Sequence, residues 1–164
     1  MLAITHLLVS LLLIQIFLLD RNDAFVALLF GVFIDADHLI GLQSYAKANG
    51  IMAVFDFDSL MHADGQWKSL MHNPVAAGIV APISIMSRLA VPLLFWAAHI
   101  AMDFVEDAYL GIFSTPEAIF ALLVGLSLVS IRYGRYIESF STGTLSHYLR
   151  MELDGLRGIF KTEA

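Results

Sequence analysis

Cysteine is absent from the 164-residue chain. That excludes disulfides and thiolate metal sites, so any bound metal must take imidazole and carboxylate ligands. Charge is scarce too: 15% of residues are charged, with 9 Lys and Arg against 15 Asp and Glu and a formal net charge of −6. So few cations cannot neutralise phosphates along a duplex, and nucleic acid is not an expected partner. No repeats or low-complexity tracts occur, and no serine elbow or phosphate-cradling glycine loop. The first apolar run lacks a basic leading region and a small-residue cleavage site, so it reads as a span rather than a secretory signal.

What remains is hydrophobic. Apolar residues make up 59% of the chain and the mean hydropathy is +0.77, against about 45–50% apolar usage in soluble domains. The expectation is an all-α integral membrane protein, a bundle of about five transmembrane helices at 2–19, 24–42, 75–86, 89–105 and 118–131. The long polar connection at 43–71 reads as a re-entrant or interfacial lid. Residues 1–131 form the transmembrane domain, and 132–164 a cytoplasmic tail in which 144–160 is an amphipathic helix on the membrane surface. Arg21 and Arg88 in short turns, with Arg132, Arg135, Arg150, Arg157 and Lys161 in the tail, place the C-terminus inside and the N-terminus outside a cell membrane crossed several times.

The costly residues are distributed unevenly on that topology. Asp35, Asp37 and His38 close the second span, His6 lies near the start of the first, His72 opens the third, and His99 with Asp103 ends the fourth. An aspartate at the centre of a membrane helix costs roughly 2.5–3.5 kcal/mol, so such residues usually face a bundle interior and serve a purpose. On a continuous helix Asp35 and His38 share a face while Asp37 points elsewhere; His99 and Asp103 are i, i+4 neighbours. All seven candidates fall at the extracytoplasmic depth, although only Lys and Arg were used to orient the chain. Taken singly, His6 and His72 also read as an interfacial residue and a loop or cap residue, and His62 with Asp58 as solvated surface. Trp67 and Trp96 read as interfacial belt and packing. A His/Asp donor set suits zinc first, with manganese or iron as alternatives. Seven ligands exceed the need of one tetrahedral ion, so two or more ions bridged by Asp35 or Asp103 fit better.

The run Thr5-His6, then Asp35-Ala36-Asp37-His38, then Lys68-Ser69-Leu70-Met71-His72-Asn73, then His99-Ile100-Ala101-Met102-Asp103 resembles the YdjM-type family of membrane-bound metal-dependent hydrolases. That family is similar in turn to the all-helical zinc phospholipase C and P1-nuclease group, which cleaves phosphoesters. The resemblance covers roughly residues 1–110. It implies that His6, Asp35, Asp37, His38, His72, His99 and Asp103 are metal ligands. Two positions depart from the family pattern: Ile34 stands for a proline, and Trp67-Lys68 for a His-Arg pair. The second leaves open a site with fewer ions, or one completed by His62.

The function expected is metal-dependent hydrolysis of a phosphoester in a phospholipid or lipid-linked phosphate, with membrane lipid as partner. Asp37 would act as bridge or general base and Lys68 would stabilise phosphate charge. Two alternatives compete: a non-enzymatic membrane protein whose metal staples its helices, and an ion or proton carrier using the same cluster as a relay.

Overall fold

The computed structural model describes residues 3–56, 59, 70–72, 74–87, 90–111, 114–140 and 143–160; the side chains of 37–40, 70, 74, 87 and 156–160 are outside that description. The described chain is all-helical. Its α-helices are α1 (Ala3–Phe17), α2 (Arg21–Gly31), α3 (His38–Asn49), α4 (Ala77–Ser87), α5 (Val91–Val105), α6 (Thr115–Ser139) and α7 (Leu145–Phe160). Short 3-10 turns at Phe33–Asp37, Leu70–His72 and Pro74–Ala76 join them, and a π-helical turn, Glu106–Leu110, extends α5. Helix α1 lies between α6 and α2, α2 packs on α5, and α4 also packs on α5.

The helix ends follow from local chemistry. Asp20 caps α2, its Oδ1 accepting from the backbone N–H groups of Asn22 and Asp23 at 2.8 and 2.9 Å. Ser114 caps α6 by accepting from Glu117 N at 3.1 Å. Ala90 has no side chain to cap α5, and Ser84 of α4 accepts from Leu93 N at 3.0 Å in its place. Helix α1 stops at Phe17 because Leu18 is left-handed, with φ 54°, so the first apolar run yields 15 helical residues, about 22 Å, and not the expected 18.

The expected second span is not one helix. After Gly31 the chain leaves the α-helical ladder: Val32 has φ −138° and ψ −51°, and Asp35 N donates to Val32 O at 3.1 Å. The segments Arg21–Gly31 and Phe33–Asn49 meet at a 45° bend. The break comes at a close approach of helices. Gly31 lies against α1 and α5 so closely that an added Cβ would fall 2.5 Å from Ser10 Oγ and 3.1 Å from Phe95 Cδ1.

Among the described residues, α6 is the one helix long and apolar enough to cross a membrane by itself; the bent α2–α3 pair passes the same test when taken together. Helices α1 and α4 are apolar but shorter than about 20 residues, the length that crosses a 30 Å hydrocarbon core. Helix α6 also outruns its expected end at Ile131 and continues through Arg132 and Arg135 to Ser139. The tail therefore begins two turns later than its charges suggest, because Arg132 pairs with Glu152 at 2.8 Å and Arg135 donates to Gln15. Helix α7 forms where the amphipathic pattern placed it.

Two buried clusters hold the bundle. Ile14, Ala27 and Phe95 join α1, α2 and α5, while Ile34, Ala76, Val80 and Trp96 join the Asp35 turn to α4 and α5. Gly31→Ala is expected to lower the melting temperature of the purified protein, at a cost of about 1–3 kcal/mol for overpacking. Adding Ser10→Ala, which removes the nearest atom, should recover part of the loss. An unchanged melting temperature in the single variant would refute the close approach as the cause of the break.

Candidate metal centre

Five of the seven expected ligands are described with their side chains, and they converge. His6 comes from α1, Asp35 from the turn after α2, His72 from the turn before α4, and His99 and Asp103 from one face of α5. Each turn is held from outside the cluster. Trp96 Nε1 donates to Met71 O at 2.9 Å, fixing the backbone beside His72. The broken ladder at Gly31 leaves its carbonyl available, and that oxygen faces His99 Nδ1 at 3.0 Å.

This last contact decides the chemistry of His99. A carbonyl can only accept, so Nδ1 carries the proton, and in the neutral ring Nε2 presents its lone pair to the cluster. His99 is fully buried, and its Nε2 lies 3.1 Å from Asp35 Oδ1, 3.3 Å from Asp103 Oδ2 and 3.0 Å from His72 Nε2. His72 Nε2 is in turn 3.2 Å from Asp35 Oδ1 and 3.7 Å from Asp103 Oδ2.

Five edges of a four-atom figure are thus measured, and all lie between 3.0 and 3.7 Å. A tetrahedron with metal–ligand distances of about 2.0–2.1 Å has edges of about 3.3–3.4 Å. Protons satisfy such a cluster poorly, since one proton joins two of these atoms and leaves the other lone pairs facing each other. A divalent ion satisfies all four. Two overlapping groups, His6–Asp35–His99 and His72–His99–Asp103, have ligand atoms mutually within 4.8 Å and can hold a metal ion.

The carboxylates look both ways. While Asp35 Oδ1 and Asp103 Oδ2 face His72 and His99, Asp35 Oδ2 lies 3.4 Å from His6 Nδ1 and Asp103 Oδ1 lies 3.2 Å from His6 Nε2. His6 is fully buried, and each of its ring nitrogens faces one carboxylate oxygen. Its ring packs edge-on against His99 with centroids 3.9 Å apart.

Asp37 and His38 follow Asp35 in the backbone, but their side chains are outside the described ones, as are Lys68, His62, Asp58 and Trp67 altogether. The placement of Asp35 differs from expectation in one respect: it sits on a 3-10 turn, so the spacing of a continuous α-helix does not set which face it shares with His38. Three supporting residues carry no signal that periodicity could expose. Glu117, within the expected fourth connection and its fifth-span border, is fully buried and accepts from Thr5 Oγ1 at 3.2 Å, beside His6. Trp96 is buried against Ile34, Ala76 and Val80 and anchors the turn beside His72. Gly31 supplies a carbonyl, which no side-chain pattern reports. The Ser-x-x-Glu pattern at Ser114 and Glu117 marks a helix start, which was the one available clue to Glu117.

Comparison with family models, with curated proteins and with solved structures gives no match. Protein purified without chelators is expected to carry about one or more equivalents of a transition metal per chain, read by plasma mass spectrometry. His99→Ala and Asp103→Ala should lose it and melt several degrees lower, while His147→Ala, remote from the cluster, should keep it. Equal metal in all three variants would refute the site.

Proposed function

We propose that the chain is a membrane-embedded, metal-dependent hydrolase of phosphoesters, with zinc as its resident ion and a phospholipid or lipid-linked phosphate as substrate. One observation carries this: the cluster is closed on its histidine side and open on its carboxylate side. His6 and His99 have no exposed side-chain surface and His72 has 6%, whereas Asp35 has 22% and Asp103 26%. Structural zinc sites are closed by four protein ligands, while catalytic ones keep a position for water or substrate. An opening flanked by two carboxylates, each with an oxygen toward either histidine group, suits a pair of ions with water between them.

The chain's own residues would act as follows. His99, locked by the Gly31 carbonyl, and His72, held by the Trp96–Met71 contact, would hold the ion with their ring nitrogens. Asp35 and Asp103 bridge toward His6. Asp37 accepts the proton of the attacking water, and Lys68 offsets charge on the phosphoester. A zinc ion held by His72, His99, Asp35 and Asp103 would supply Lewis acidity to the site.

The membrane half of the proposal rests on the apolar surface. Leu122, Leu123 and Leu126 of α6 are each more than half exposed, and the most apolar stretch of α6 is only 11% buried. Exposed apolar surface on that scale marks a lipid or protein contact. Four further segments would complete a five-span bundle, the two short helices α1 and α4 crossing with help from snorkelling residues or local thinning. The structural-metal alternative draws on the full burial of His6 and His99; the ion-carrier alternative lacks a polar relay toward the cytoplasmic half.

Two measurements test the proposal. In intact cells Ala48→Cys should react with an impermeant maleimide and Thr162→Cys should not; the opposite pattern would reverse the topology. Purified protein should release phosphate or headgroup from a panel of phospholipids, lipid phosphates and isoprenyl phosphates, and chelator should stop it. Asp37→Asn should keep metal and melting temperature while losing turnover by about a hundredfold or more, the usual effect of removing a general base. A panel with no substrate turned over would leave the stapling role in place of the hydrolase.

A further inference from the structure

The other end of the bundle holds a second polar feature, unconnected with the metal centre. His6 and Gln15 are nine residues apart on α1, about 14 Å along the helix. At the Gln15 end an open groove of about 270 Å³ runs between α6 and α7, lined among others by Arg132, Arg135, Tyr136, Tyr148, Met151 and Glu152.

Its charges do not balance. Arg132 is paired with Glu152 at 2.8 Å. Arg135 has no carboxylate: among the described residues its guanidinium donates only to Gln15 Oε1 and Gln15 O, at 2.6 and 2.5 Å. Those oxygens are neutral, and the second is a terminal carbonyl of α1 that the helix itself leaves unbonded. Arginine does not lose its proton in proteins, so the groove keeps a permanent net positive charge and spare N–H donors in a fork that matches phosphate oxygens.

The surroundings indicate the depth at which that charge sits. The uncharged stretch of α6 ends at Ile131, Arg132 follows at once, and Arg135 is one turn further. On the groove's outer side α7 turns Leu145, Leu149 and Leu153 outward, 50%, 48% and 55% exposed, at the four-residue spacing of one helical stripe. Beneath that stripe Tyr148 is buried and packs at a tilt against Tyr133 and Tyr136, with ring centroids 5.5 Å apart, so α7 is held on α6 with its leucines still free. Apolar side chains dipping outward beside a forked cation, at the end of an apolar helix, is the arrangement of an interfacial helix at the phosphate layer.

We propose that the α6–α7 groove is a binding site for a phosphate-bearing anion, seated on Arg135, and that its occupant is the headgroup of an anionic phospholipid. The phosphate chemistry stands on the groove itself; the lipid source rests on the membrane reading above. Occupancy would tie α7, α6 and the end of α1 together through one anion, at the end of the bundle opposite the metal.

The test uses the full chain purified in uncharged detergent, titrated with dioctanoyl phosphatidylglycerol, dioctanoyl phosphatidylcholine and inorganic phosphate, with retention read by native mass spectrometry. Phosphatidylglycerol should bind saturably and better than phosphatidylcholine. Arg135→Gln should weaken it about tenfold or more, as expected for lost charge-assisted hydrogen bonds. Because Arg135 also holds the end of α1, Met151→Glu provides an independent variant that puts a negative charge at the groove and leaves Gln15 untouched; it should weaken binding likewise. Metal content should be unchanged in both. Displacement by millimolar inorganic phosphate would keep the anion site but overturn the lipid as its occupant. Binding unaffected by either variant, or no preference for the anionic lipid and no phosphate binding, would overturn the proposal. Flotation of the wild type with phosphatidylcholine vesicles is read separately: a chain that fails to float refutes the membrane reading, whereas a floating chain with no anion preference refutes only the groove.

Discussion

Lone pairs that face one another across 3.0–3.7 Å in a buried place repel unless positive charge is shared among them. Two carboxylate oxygens and two imidazole nitrogens, from Asp35, His72, His99 and Asp103, are brought to that spacing by three separate backbone segments, and the rest of the bundle can be understood as the frame that keeps them there. The α5 helix sets two of the four by its own periodicity, since His99 and Asp103 are one turn apart. The other two come from turns that have little intrinsic stability and are held by contacts to α5: Ile34 and Met71 pack around Trp96, and Trp96 holds the Met71 carbonyl.

The break after Gly31 links packing to chemistry. A continuous α2 would use the Gly31 carbonyl for its own ladder and would carry Asp35 on round the helix. Instead the ladder breaks after Gly31, whose lack of a side chain permits its close approach to Ser10 of α1 and Phe95 of α5. The released carbonyl then orients His99, and the tightened turn delivers Asp35 to the same point. One small residue therefore fixes both a ligand's tautomer and its neighbour's position, and neither could be adjusted without the other.

The two ends of the bundle use charge in different ways. At the His/Asp end acidic and imidazole groups gather into an arrangement that could hold a metal ion. At the Arg135 end a guanidinium is offered only neutral oxygens, so it needs an anion from outside. Both are costly arrangements in an apolar scaffold, and a ligand that bound either would add to the stability of the fold.

Helix content and the His/Asp character of the site were legible in the sequence, because apolar runs without cysteine leave few other ways to fold or to bind a metal. The grouping of His6, Asp35, His72, His99 and Asp103 was legible too, since rare polar residues in apolar segments must find each other to be solvated. Helix lengths were less so: hydropathy does not register that Leu18 turns left-handed or that Gly31 is pressed against Ser10, and both shorten the helices that composition suggests. Nor does hydropathy stop at the right residue of α6, because Arg132 and Arg135 are paid for by partners on α7 and α1 far away in sequence. What only the tertiary structure decided is which atoms face inward. The tautomer of His99, the turn of the carboxylates toward His6 and the buried Thr5–Glu117 contact depend on distances between segments 29 to 112 residues apart, and no local pattern encodes a distance of that kind.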